Sequence, residues 1–158
     1  MNRRNFISIA ALAPTAGLLT ACKPETLAGH AQAVVDKLLP QLQASLEPGL
    51  PILVAPFYNL DDLQTSTFGR AMAELVGNLL TQRGLKVADA RLQAPAAASG
   101  GVSLTAETVS AARQHRAQAV IVGTYSVMKP VVYASVKAIR TRDNQVIAAT
   151  DTELRYEA

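Results

Sequence analysis

Two short runs of unbroken apolar residues, Ile52-Leu53-Val54-Ala55 and Val120-Ile121-Val122-Gly123, constrain this chain more than any other feature. A strand with one face in water alternates apolar and polar residues; one that is apolar throughout is buried on both faces. Covering both faces calls for helices, so the runs predict an α/β arrangement. The sequence has 158 residues, of which 137 lie beyond Ala21. That length suits a single compact domain with its own core.

The rest of the chain supplies the helices. Val34, Val35, Leu38, Leu39, Leu42 and Leu46 recur at helical steps within Leu27–Leu46. Pro40 should kink this element or begin a second short helix, and Pro48-Gly49 closes it. After the first apolar run comes a polar loop, Tyr58 to Thr67. Phe68, Met72, Leu75, Val76, Leu79 and Leu80 then form a second helical stripe, with Gly84 as the residue just past its end. A strand is expected over Leu85–Leu92, with Leu85, Val87 and Asp89 on one face. Gln93–Ser103, rich in Ala, Gly and Pro, reads as a loop. Ser103 or Thr105 caps a third helix running to about Arg116. Beyond the second apolar run, Val132, Ala134, Val136 and Ala138 alternate with Tyr133, Ser135 and Lys137. A turn at Arg142-Asp143-Asn144-Gln145 leads to a last strand from Val146 to Tyr156. The order α-β-α-β-α-β-β-β predicts a two-layer α/β sandwich: a mixed sheet whose first strands join through helices and whose last form an antiparallel meander.

The N-terminus reads as an address. Arg3 and Arg4 precede a mostly apolar run, Phe6–Leu19, broken by Pro14 and Gly17. It is too short for the roughly 20 apolar residues of a membrane span and fits a signal-peptide core. Leu19-Thr20-Ala21-Cys22 follows and resembles a lipobox. Cleavage is expected between Ala21 and Cys22, with Cys22 acylated through its thiol. Two or three acyl chains, at about 0.8 kcal/mol per buried CH₂, hold a protein stably at a bilayer. Residues 1–21 are thus read as signal peptide, 22–27 as a short tether and 28–158 as one domain. Arg3-Arg4-Asn5-Phe6-Ile7 fits a twin-arginine motif and an ordinary positive n-region equally well. Lys23, where an Asp would mark inner-membrane retention in enteric bacteria, favours the outer membrane, with the domain facing the periplasm. The tether reaches at most ~20 Å, so the domain sits close to its membrane.

Charge and chemistry narrow the function. The balance of 15 Lys+Arg against 12 Asp+Glu becomes 13 against 12 once Arg3 and Arg4 are removed, which argues against nucleic-acid binding. Cys22 is the single cysteine, so after acylation neither a disulfide nor a cysteine metal site is possible. Asp61-Asp62, the one adjacent acidic pair, has no His nearby in sequence and reads as turn or cap groups. His30 and His115 fall on polar helical positions and are expected at the surface. Ser66 and Ser126 lack a nucleophile-elbow setting, and Gly123-Thr124-Tyr125 lacks the spacing and lysine of a phosphate loop. No enzyme, cofactor, metal site or small-molecule substrate is expected.

The segment Tyr58-Asn59-Leu60-Asp61-Asp62-Leu63-Gln64-Thr65-Ser66-Thr67-Phe68-Gly69-Arg70 closely resembles the FlgO family of outer-membrane lipoproteins. The likeness continues through Gln82-Arg83-Gly84-Leu85-Lys86-Val87 and Val122-Gly123-Thr124-Tyr125-Ser126, and spans about Ile52 to Leu154. It implies a fold related to TolB N-terminal and CsgG-like domains, and a non-enzymatic envelope protein associated with motility. A rival reading is an accessory module that binds another periplasmic or outer-membrane protein, as TolB-like or peptidoglycan-synthase-activator domains do. The motif itself has two readings. Leu60 and Leu63 tuck the loop against the sheet, Asp61 or Asp62 accepts its N–H groups, and Gly69 permits close packing; or the loop faces a partner.

Overall fold

The computed structural model describes residues 26–62, 66–88 and 104–155. Thr26 opens α1 (Leu27–Ser45), its hydroxyl oxygen accepting the Gly29 N–H at 3.1 Å. This satisfies one of the donors a helix start leaves orphaned. Ala31, Val34, Val35, Leu38 and Leu42 form its buried stripe. Pro40 lies inside this one helix, on its exposed side, where a carbonyl deprived of its helical donor meets water. No second helix begins there.

The remaining elements are β1 (Ile52–Val54), β2 (Tyr58–Asn59), α2 (Thr67–Gln82), α3 (Ala106–Gln114), β3 (Ala119–Met128), β4 (Val131–Arg140) and β5 (Val146–Arg155). β1 and β2 both pair parallel with β3, β1 at its start and β2 at Thr124 and Tyr125. β3, β4 and β5 form the expected antiparallel meander, giving the order β1-β3-β4-β5 with β2 beside β3. The mixed sheet with helices packed on it is the two-layer sandwich the sequence predicts, with one short strand, β2, added beside β3.

Only the first four residues of the strand expected over Leu85–Leu92 are described, and they do join the sheet edge. They do so through a single parallel bridge, Val87 to Ile52, made by Ile52 N–H to Lys86 O and Ala88 N–H to Ile52 O. Leu85 and Val87 do pack against the core, as their alternation implied. The pattern reports which side chains are buried; it cannot report how many ladder partners a three-residue neighbour offers. Asp89 to Leu92, the Gln93–Ser103 loop and Tyr156 lie outside the described residues. Conversely, β2 sits inside the stretch read as loop, because two residues are too few to show a period.

The sheet is covered on both faces where the apolar runs lie. Ala119, Ile121 and Tyr125 of β3, with Val132, Ala134, Val136 and Ala138 of β4, face α1 and α2. Leu53, Val120, Val122 and Ile139 face the other way, against Ala112 of α3. Both helix ends after α2 and α3 are closed by the same device. Gly84 (φ 89°) donates to Thr81 O at 3.0 Å and Leu85 N–H to Leu80 O at 3.1 Å, a Schellman pattern that puts Gly84 just past the helix end, as expected. Arg116 (φ 54°) plays the glycine's part after α3, which therefore stops at Gln114. At the β4–β5 turn, Arg140 grips Asp143 through Nε and Nη2 at 2.9–3.2 Å and holds its carboxyl below the usual carboxylate range.

Candidate functional site

The family-like segment wraps the end of the sheet where β3 finishes, and Phe57 organises it. Phe57 is fully buried, its N–H donating to Gly69 O at 3.1 Å. A Cβ on Gly69 would lie 2.0 Å from the Phe57 carbonyl oxygen, and one on Gly123 would lie 2.3–2.5 Å from the Phe57 ring. Both glycines are therefore contact requirements: the start of α2 lies against the Phe57 backbone, and the ring lies on the bare Cα of β3. Phe57 was missed in the sequence, where it follows Ala-Pro and carries no periodicity.

Around this contact the motif residues take distinct places. Asn59 pairs with Tyr125, and its Oδ1 accepts the Asp61 N–H at 3.0 Å, a side-chain-closed turn. The Leu60 N–H donates to Tyr125 O at 2.8 Å, but its side chain is 51 % exposed. The expectation that Leu60 tucks against the sheet is thus wrong: the backbone bond holds the loop, and the turn sends the side chain outward. Asp61 and Asp62 are exposed turn residues, while Leu63 and Gln64 lie outside the described residues. Ser66 caps α2 by accepting the Gly69 N–H at 3.0 Å, and its Oγ also receives the Tyr125 hydroxyl. Phe68 meets Tyr125 edge to face, ring centroids 4.7 Å apart. Arg70 is exposed, near Thr67 Oγ1 at 3.4 Å; Gly84 caps the far end of α2; Thr124 points to the opposite face. Asn59, Ser66, Phe68, Gly69, Gly123 and Tyr125 converge, and Arg70 and Gly84 do not.

A groove of about 480 Å³ opens beside this cluster, lined by Leu27 and His30 of α1, Asn59, Ser66, Phe68, Tyr125, Val127, Val132, Leu154 and Arg155. His30 is half-buried, with its Nε2 buried and unpartnered among the described residues, which corrects its expected surface position. The helical pattern placed it on the polar side of α1, but β5 and the end of β3 reach round to it. His115, at the end of α3, is exposed as expected. No hydrogen bond joins His30 to Ser66, whose oxygen already serves the helix cap and Tyr125. A nucleophile–base pair is not assembled there. A second concavity of about 560 Å³ lies on the outer face, among Leu60, Thr124, Ser126, Met128, Tyr133 and Glu153. Tyr58 is buried, its hydroxyl unpartnered among the described residues; burial pushes its pKa up to about 12. Among the described residues no three His, Cys, Asp or Glu side chains converge as metal ligands.

The fold and this end of the sheet define the class: a small two-layer α/β sandwich whose signature residues fasten a strand–turn–helix connection to the central strand. The chain belongs to the FlgO protein family, whose model matches residues 32–158. Its fold is similar to the LpoB C-terminal domain from Escherichia coli, with TM-score 0.60 at 15% identity over 82% of this chain and 98% of that one. The LpoB C-terminal domain from Salmonella enterica is similar too, with TM-score 0.56 at 14% identity over the same shares. The NMR structure of E. coli LpoB gives TM-score 0.59 at 15% identity over 99% of this chain and 84% of that one. No curated protein matches the sequence.

Proposed function

We propose that the protein is a non-enzymatic outer-membrane lipoprotein, anchored through acylated Cys22, that serves as a structural or assembly component of the envelope. The observation that carries the non-enzymatic part is how the motif is used. Gly69, Gly123, Ser66 and Tyr125 are spent on internal packing and capping, and none presents a free reactive group to the groove beside them. Family membership supports the envelope lipoprotein reading. The anchor follows from Leu19-Thr20-Ala21-Cys22 behind an apolar export segment. Within this reading, residues 1–21 are removed, 22–27 form the tether, and the role is in motility. Cys22→Ser should abolish acyl labelling and release the protein from membranes. A deletion strain should lose swimming or anchoring of the flagellum; normal motility with intact anchoring removes the flagellar part.

The second reading is an accessory module that binds another envelope protein. It is favoured by the outer-face concavity, an open surface beside the motif that internal packing leaves unused. Cross-linking from Ser126 or Tyr133 that captures an envelope enzyme or pore, without flagellar components, decides for it.

A further inference from the structure

Six large apolar side chains are exposed among the described residues, and four gather at one end of the molecule. Met128 (61 %), Val127 (40 %) and Tyr133 (43 %) flank the turn between β3 and β4, and Leu60 (51 %) stands beside them, its N–H bonded to Tyr125 of β3. The other two, Leu50 and Val146, lie at the opposite end, where β3 begins and β5 begins. The turn is therefore apolar on both faces: Leu60, Met128 and Tyr133 line the outer concavity, and Val127 lines the groove on the helix side. Lys129 is exposed at its tip and Arg155 is exposed at the adjoining end of β5.

The position of α1 says what covers this end. Along the sheet edge, Gln41 bonds Ala149, Lys37 reaches Asp151 O, and Leu27 and His30 share the groove with Leu154 and Arg155. The start of α1 thus lies at the β3–β4 turn, sharing its groove with Val127. Cys22 is five residues before Leu27, a separation of at most ~20 Å. An anchor at Cys22 therefore holds the apolar turn, rather than the opposite end, against the bilayer. The rim carries both signs, with Lys129 and Arg155 at the turn and Asp61, Asp62 and Glu153 on the outer side. At a high effective concentration of lipid it is the apolar side chains, with the two cations beside them, that suit the membrane interface.

We infer that the protein docks on the bilayer carrying its own anchor, with Val127, Met128 and Leu60 entering the interfacial region and Lys129 and Arg155 at the headgroups. This orientation rests on the lipoprotein reading, and the test separates the two. The chain contains no Trp, so Met128→Trp and Val146→Trp each give a single reporter on an exposed site. Each full-length variant is matured in cells, purified with its native N-terminus, weighed by mass spectrometry for acyl chains, and placed in phosphatidylethanolamine–phosphatidylglycerol vesicles containing brominated lipid. The expected result is a blue shift and at least twofold quenching at 128, with neither at 146. Adding Val127→Glu to the 128 reporter should abolish both changes while leaving the protein acylated. Equal spectra at 128 and 146 overturn the orientation, as does a shift at 128 without vesicles that grows with protein concentration, which assigns the turn to a second copy. If the mass shows no acyl chains, the lipoprotein reading falls. The spectra of that chain mixed with the same vesicles then decide the docking alone: quenching at 128 supports it and no quenching overturns it.

Discussion

At Gly123 a single hydrogen atom decides whether the sheet end closes, because the Phe57 ring occupies the space a Cβ would need. Neither group can yield easily: one is strand backbone, the other a buried ring. Gly123→Ala should therefore destabilise by about 1–3 kcal/mol in urea unfolding, in the range of overpacked cores. Phe57→Leu should cost less on that background than alone, a coupling a double-mutant cycle measures. Tyr58 offers the opposite case. Its buried hydroxyl meets no partner among the described residues, so Tyr58→Phe should leave stability unchanged or raise it by about 1 kcal/mol. The titration has a sign: the phenol is raised in the folded state, so folding holds the extra proton. The stability linked to it is complete below pH 10 and is lost as pH rises toward about 12. Tyr58→Phe should flatten that alkaline fall, followed by denaturant midpoints between pH 9 and 12.

Among the elements, β5 is the exposed edge of the meander, and α1 manages it. The Gln41 amide donates to Ala149 O and accepts from Ala149 N–H, both at 3.1 Å, taking the place of a neighbouring strand. Edges left open invite pairing with other chains. Gln41→Ala should cost about 1–2 kcal/mol by thermal or urea unfolding and increase aggregation by light scattering. Element type was legible wherever a period ran long enough: α1, α2, β4 and β5 each repeat their pattern over several turns or pleats. It failed where structure is short. β2 has two residues and the Val87 bridge has one, and at that length only the partner strand decides whether extended chain becomes ladder. Gly84 was legible because a helix end dictates its own left-handed residue. Arg116 was not, since nothing in an arginine announces positive φ.

For the whole molecule, β1 and β3 contribute side chains to both apolar clusters, so neither layer should melt without the other. Unfolding followed by circular dichroism and by tyrosine fluorescence should give coincident single transitions; a resolved intermediate would mean that α3 and its cluster are a separate unit. Local order and burial on both sheet faces were determined by the sequence, because each depends on neighbours within one element; the proposed export address likewise rests on a short linear signal alone. The tertiary structure alone decided what the family motif does. Gly69 and Gly123 are 54 residues apart and acquire a common meaning only when Phe57 is placed between them. It also turned Leu60 outward, drew His30 into a groove, and set the start of α1 beside the apolar β3–β4 turn. Those outcomes arise from which elements lie side by side, and adjacency in space is not written in any local period.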